Sequence, residues 1–517
     1  MSASPHQIDS STVSGTDAAP AKRGISLIGL IALVISSSIG SGVFALSTDI
    51  SAAAAPGPAI IAWIITGVGF MGLATTFGRL SIVKPELDGI VAYAHEGFGP
   101  FVGFVSGWGY WLSIWIGNVA FGVMLVTAIG YFYPPFAGDL TVPGVVFISV
   151  LNWLIVLLVN RGVEEASALN AVVMVCKLVP IFAFIAAMVI VFDFDVFTSD
   201  FWGNVANNLR GASYENIDGT VVGAPGPIPR QLVNCFMAMM WVFVGMEGAS
   251  VLGHRAERKS DVSRATILGC TALVVIYIAA SILPYGYLTR EELMTLGSPS
   301  MPYIFARVVG PWGGAFISGG LIISIFGAWL SYTILASEAL CGMAQMRLLP
   351  KMFSHLNTYS APTMCLVVTG AMIQVLSIVM LFSEEAYQFA YSLCTASIVI
   401  SWTLAAAYMV KLGIEQRRAG RATAAGSGGR REGVRGVDLA LSCFTVVFLV
   451  VAVLVSGVEQ LMLCCIAYVP GIAFYLVARR EQGLSGLSAR EKILAAAIIA
   501  IAAFMLVGIV RDALIVG

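Results

Sequence analysis

The apolar runs of this chain are long enough to cross a bilayer, and the first of them is interrupted at its centre. About 20 apolar residues cover the hydrocarbon core as a helix, and residues 25–46 meet that length. The middle of this run, residues 35–44, reads ISSSIGSGVF: three serines, then Gly40-Ser41-Gly42. Glycine weakens a helix, and serine hydroxyls compete for nearby backbone groups. In hydrocarbon an unpaired N–H or C=O is so costly that a broken helix survives only where protein buries it or where it lines a cavity. A break at mid-membrane therefore predicts a binding site around Ser38, Ile39, Gly40, Ser41 and Gly42. The competing explanation is a close helix–helix contact through small residues.

Composition supports the membrane reading. Of 517 residues, 58% are hydrophobic and only 11% are charged, which is the balance of an integral membrane protein. Residues 1–24 begin with a polar Ser/Ala/Thr-rich stretch that predicts a disordered tail. They do not make a signal peptide, because the apolar run that follows has full spanning length and no cleavage site behind it. All nine cysteines fall in apolar segments, so packing rather than a disulfide framework is expected of them.

Thirteen spans are predicted, near residues 25–47, 57–79, 100–131, 143–160, 168–192, 231–253, 262–287, 310–342, 363–383, 386–411, 437–457, 459–478 and 491–512. Basic residues test the topology independently, because cytoplasmic loops concentrate Lys and Arg. With the N-terminus cytoplasmic, 22 of the 28 basic residues lie inside, five outside, and Lys177 within a span. Thirteen crossings leave the C-terminus outside. Between spans, 193–230 predicts an extracytoplasmic loop, 289–309 a short surface helix region, and 412–436 a flexible basic cytoplasmic linker able to touch anionic lipid.

The sixth span repeats the interruption. Residues 241–248, WVFVGMEG, place Glu247 between two glycines, about two hundred residues and five spans after Gly40. An odd number of spans per half forces two repeats into opposite orientations. Discontinuous helices at matching positions of inverted halves are the best sequence pointer to a transporter's substrate site. The halves are then 25–192 and 231–411, followed by further helices over 437–517. Free N–H groups at a half-helix N-terminus favour an anion, here a carboxylate against Ser41 and Gly42. Exposed carbonyls and Glu247 favour an ammonium group. Together they suit an amino-acid-like zwitterion.

Only Lys177 and Glu247 are read as ionisable residues deep within spans, which makes both functional suspects in coupling or gating. Lys177 is able to reach the carbonyls of an unwound helix, where a sodium ion would otherwise bind; the alternative is a lysine that snorkels to the interface. In the third span Ser113, Gly117 and Asn118 are read as sharing a helical face, with Tyr110 one turn before. Trp241 and Trp329 are candidates to close over a cationic side chain.

Three stretches carry a resemblance: GSGVF at 40–44, YAHEGFGPFVGFVSGWGYWLSIWIGN at 93–118, and WVFVGMEGAS at 241–250. They resemble the amino acid–polyamine–organocation superfamily, and within it the basic amino acid/polyamine antiporters. The resemblance implies an all-α membrane protein with a five-plus-five inverted-repeat core, alternating access, and exchange of cationic amino acids or their amines. It assigns Ser41 and Gly42 to the substrate carboxylate and Asn118 to substrate contact. Trp241, beside Val244, matches a gating aromatic, Trp329 an aromatic that stacks on a guanidinium, Thr395 a span-ten hydroxyl, and Glu247 a residue of coupling. Ser113-Ile114 replaces a smaller pair and alters the pocket, while Lys177 departs from the arginine/agmatine branch.

The expected function is arginine/ornithine antiport, with lysine a further candidate substrate; the alternative is a proton-coupled amino-acid symporter. An enzyme is not expected, because His6, His95, His254 and His355 all lie outside the spans and no nucleophile–base or metal-ligand cluster is present. No cofactor, metal or nucleic-acid partner is predicted. A homodimer is a candidate assembly.

Overall fold

The computed structural model describes residues 26–516, apart from 88, 139, 163–166, 204–212, 216–220, 224, 249–256, 384, 424–432 and 485. The N-terminal tail and parts of the predicted 193–230 loop and 412–436 linker therefore lie outside the described residues.

The broken first span forms two helices, α1 (Leu27–Ser38) and α2 (Gly42–Ala53), bent by 51°. Then follow α3 (Pro56–Val83), the short α4 (Gly89–Phe98), α5 (Pro100–Gly130), α6 (Val142–Asn160), α7 (Ser167–Ile190) and the short α8 (Phe194–Ser199). A two-stranded antiparallel ribbon, Ser213–Glu215 with Val221–Gly223, lies in the next connection. The second half contains α9 (Ile228–Trp241), α10 (Lys259–Ile282), α11 (Arg290–Met294), α12 (Ser300–Val309), α13 (Pro311–Gln345), α14 (Thr363–Val379) and α15 (Ala386–Thr423). Helices α16 (Gly436–Ser456), α17 (Val458–Glu481) and α18 (Ala489–Val516) complete the chain.

Eleven described helices are long and apolar enough to cross a membrane, or twelve with the bent α1–α2 pair. The remaining predicted span, 231–253, is helical only to Trp241 and continues as turns to Glu247; residues 249–256 lie outside the described residues. The span-ten helix runs on to Thr423, well past its expected end at 411.

Position in the bundle follows from what each helix can bury. Helix α5 packs against α13 and α15, and 89% of its most apolar 18-residue stretch is buried. In α18 that share is 11%, so its apolar side chains face outward, as a lipid-facing helix allows. Small residues permit close approach: a Cβ on Gly69 or Gly72 of α3 would strike Phe448 or Thr445 of α16. Some buried hydroxyls find partners on neighbouring helices, as in Trp63 Nε1 to Ser281 Oγ at 2.9 Å and Thr76 to Ser442 at 2.8 Å.

One local arrangement occurs twice. The ten-residue α4 ends at Gly99 (φ +91°), where Pro100 starts the long α5 and α4 folds back on it. The ten-residue α12 ends at Gly310 (φ +94°), where Pro311 starts α13 and α12 folds back likewise. Proline at the first helical position is pre-set for helix.

Two expectations are corrected. Residues 289–309 do not form a surface helix: α11 and α12 pack against α2, and Arg290, Met301 and Ile304 are buried. Arg290 Nε donates to Ser51 O at 2.9 Å and Tyr285 Oη to Ala54 O at 2.7 Å, so both side chains cap the end of α2. Because that cap carries α2 to Ala53, Asp49 also lies inside a span, 7% exposed. Lys177 and Glu247 are thus not the only deep ionisable residues.

Candidate substrate site

The two interrupted spans meet each other. Gly245 has φ +103°, a conformation that side chains rarely adopt, and a Cβ there would strike the Ser37 carbonyl. Ser37 Oγ lies 2.8 Å from Gly245 O. Successive i→i+3 bonds, such as Val244 N to Trp241 O at 3.0 Å and Met246 N to Phe243 O at 3.0 Å, turn the sixth span where a helix would continue.

Backbone groups freed by these breaks are satisfied by side chains. Tyr277 Oη donates to Val242 O at 2.7 Å and Tyr332 Oη to Val244 O at 3.3 Å. Lys177, 2% exposed on α7, donates from Nζ to Ser36 O at 2.8 Å and to Ile39 O at 3.1 Å. Its ammonium thus sits on the negative end of the α1 dipole. Glu247, 1% exposed, accepts from Gly245 N at 3.3 Å and lies beside the Trp402 indole.

Helix α2 begins at this junction, and the Ser41 side chain makes no capping bond to it. The first turn faces a cavity of about 10 Å³, room for one water. Its walls include Ser38, Gly40, Ser41, Gly42, Trp241 and Val244, all singled out from the sequence, and also Phe121, Val242 and Tyr332. The glycines make room for the aromatic walls: a Cβ on Gly42 would lie 2.8 Å from Trp241 Nε1, and one on Gly40 2.8 Å from a Phe121 ring carbon. Any amino acid lying against α2 requires those rings to move.

An aromatic cluster closes one side. The Trp241 ring stacks on Tyr391 at 6.1 Å and tilts against Phe121 at 5.9 Å, while Phe121 meets Tyr332 edge-on at 5.0 Å. Trp241 Nε1 donates to Tyr387 Oη at 3.2 Å, and that hydroxyl is 3.4 Å from Ser41 Oγ. Tyr387 therefore links the first break to the sixth-span tryptophan.

Other sequence candidates stand further back. Asn118 donates from Nδ2 to Thr333 Oγ1 at 3.4 Å, leaving a buried Oδ1 without a hydrogen bond among the described residues. The Ser38 hydroxyl, the Tyr110 hydroxyl and the Trp329 indole nitrogen are likewise buried and unbonded there. Trp329 packs on Gly122 and misses the cavity wall; Tyr332, three residues later on α13, occupies it. The Ser113 and Thr395 hydroxyls turn into their own helices, to Tyr110 O at 2.8 Å and Tyr391 O at 2.7 Å, and Ile114 is buried away from the cavity. Tyr110 lies within electrostatic reach of Glu247.

Sequence reasoning missed Phe121, Tyr332, Tyr387 and Tyr391. A signal for the last two was present, because Tyr387, Tyr391 and Thr395 follow at i, i+4 and i+8 on one helical face. Among the described residues no group of His, Cys, Asp or Glu has metal-binding geometry.

Comparison with known proteins agrees with this architecture. Residues 25–472 match the family described as amino acid permease. An arginine/ornithine antiporter from Latilactobacillus sakei is 48% identical over 468 residues, covering 90% of this chain and 93% of the relative. One from Pseudomonas aeruginosa is 35% identical, covering 91% and 94%. An arginine/agmatine antiporter from Chlamydia felis is 32% identical, covering 89% and 91%.

Proposed function

Because the chain belongs to the amino acid permease family, whose members carry their substrates across membranes, we propose that it exchanges arginine for ornithine by alternating access. The observation that carries this reading at the site is the meeting of two interrupted spans, Gly245 against the Ser37 carbonyl, beside the buried start of α2, which no side chain caps. The names of the relatives over nine-tenths of the chain supply the cargo.

In this reading the substrate's α-carboxylate lies against the first turn of α2, at Gly40, Ser41 and Gly42, where backbone N–H groups and the helix dipole favour an anion. The buried acceptors Ser38 Oγ and Asn118 Oδ1 are then available to an α-ammonium group. Phe121, Trp241 and Tyr332 form walls over which a guanidinium or ammonium side chain gains cation–π attraction. Lys177 holds a fixed positive charge on the α1 carbonyls, so the cycle runs without sodium. Glu247 ties the sixth-span turn, and Tyr110 stands near it. Ser113, Ile114, Trp329 and Thr395 act from behind the walls, in positioning rather than in contact.

Movement follows from the repeats. The inverted halves 25–192 and 231–411 are supported by the paired α4–Gly99–α5 and α12–Gly310–α13 arrangements. One half rocks against the other around the break, with the N-terminus on the cytoplasmic side. Lysine, a cation of similar reach, is included among the cargoes. Lipid contact through the basic linker and a homodimeric assembly belong to the same proposal.

The test is uptake of radiolabelled arginine into proteoliposomes loaded with ornithine or with buffer, with and without an inward proton gradient. Uptake that requires internal ornithine and ignores the gradient is expected. Uptake into empty vesicles driven by the gradient overturns exchange in favour of symport.

A further inference from the structure

Asp49 is a deep ionisable residue that the exchange cycle above leaves without a task. It is 7% exposed and has no hydrogen bond or ion pair among the described residues. An unpaired ionisable group within a membrane protein is costly and usually marks a substrate or ion path.

Its position in α2 relates it to the break. Asp49 follows Gly42 by seven residues, two helical turns or about 10 Å along the axis, and lies within about 20° of the same face. That face, at Gly42, abuts Trp241. Asp49 lies within electrostatic reach of Tyr387 and Tyr391, and Tyr387 is the residue whose hydroxyl joins Ser41 to Trp241. Glu385, exposed at the start of α15, is within electrostatic reach of Asp49 on the same side. Surface carboxylate, buried carboxylate, Tyr387 hydroxyl and the start of α2 thus form a series from the end of the bundle to the break. Of the basic residues toward this end, Arg290 donates to the Ser51 carbonyl and so caps α2, while Arg230 and Arg307 lie on helices that also pack against α2.

We infer that Asp49 is the specificity-determining acid of this route: it receives the side-chain cation of the substrate between the surface and the break, and so demands a second positive charge. A neutral amino acid of the same shape gains nothing there, whereas arginine or ornithine exchanges water for a carboxylate in a low-dielectric passage. Glu385 raises the local concentration of cations at the mouth. This inference rests on the exchange of basic amino acids proposed above.

The experiment compares arginine with citrulline, its neutral ureido counterpart, in ornithine-loaded proteoliposomes of wild type, Asp49→Asn, Asp49→Glu and Glu385→Gln. Folding is checked by size exclusion and thermal unfolding. Asp49→Asn is expected to lose at least tenfold of the arginine-over-citrulline preference while citrulline uptake holds, and Asp49→Glu to keep the preference. Glu385→Gln is expected to raise the KM for arginine severalfold, less so at high salt, without moving citrulline. Equal loss for both substrates in Asp49→Asn, or an unchanged preference, overturns the inference. Should Asp49→Asn not fold, the other two variants decide: an Asp49→Glu protein that no longer prefers arginine, or a Glu385→Gln protein with unaltered arginine KM, overturns it. A wild type that exchanges no cationic amino acid overturns the exchange reading as well.

Discussion

Gly245 is held in place by two separate demands, its positive φ and the contact with the Ser37 carbonyl. Gly245→Ala is therefore expected to cost about 1–3 kcal/mol of stability, read as a lower unfolding temperature in detergent together with lost exchange. Gly319→Ala serves as control: a Cβ at 319 meets nothing within 4 Å, and alanine is the better helix former there. The Tyr387 hydroxyl is approached by both Ser41 and Trp241. Removing it in Tyr387→Phe deletes bonds worth about 0.5–1.5 kcal/mol each, so a two- to tenfold change in arginine KM is expected from initial exchange rates. An unchanged KM separates Tyr387 from the site. Of these residues, Gly245 was legible in the sequence because glycine beside a buried glutamate in an apolar run is itself anomalous. Tyr387 was legible only through its spacing with Tyr391 and Thr395, because a tyrosine near a span end otherwise has an ordinary interfacial explanation.

At the scale of the element, the interruptions persist because side chains satisfy what the backbone loses. Lys177 serves two α1 carbonyls and the tyrosines 277 and 332 serve the sixth-span turn. Lys177→Met orphans buried carbonyls at about 1–3 kcal/mol each and is expected to lower exchange at least tenfold; full retention in proteoliposomes removes Lys177 from the working parts. Arrangement of partners around a break is only partly visible in sequence. Lys177 is a rare charge in an apolar run, so its reach to the α1 carbonyls was a natural expectation. Arg290 capping α2 was not, since an arginine beside two glutamates near a span end reads as part of a surface helix. That cap is also what draws Asp49 within the membrane-spanning part.

For the whole molecule, burial divides the helices into those that build the site and those that surround it. Helix α18 packs on α17 alone among the described major contacts, with Arg479 and Glu491 3.8 Å apart at its start. Deletion of residues 484–517 is expected to leave arginine/ornithine exchange within twofold of wild type, while deletions reaching α15 abolish it; uptake measured on both truncations checks this. The distribution of basic residues predicts a cytoplasmic N-terminus, and reporter fusions at both ends test it, a cytoplasmic N-terminus with an external C-terminus being the expected outcome for thirteen crossings. The proposed repeat was legible only through its two interruptions. The paired short helices ending at Gly99 and Gly310 confirm no sequence reading, because FGP and VGP are too brief to stand out.

The sequence by itself determined the membrane class, the two places where helices had to break, and the residues at the start of α2. Those properties depend on local chemistry, on apolar length and on glycine and serine at mid-membrane, which a linear pattern records directly. Only the tertiary structure decided which aromatics wall the cavity, that Tyr332 rather than Trp329 reaches it, and that Asp49 is buried. These depend on rotation about helix axes and on contacts between residues hundreds of positions apart, such as Ser41 with Tyr387. In a helix surrounded by protein on every side, the apolar pattern no longer says which face meets which neighbour.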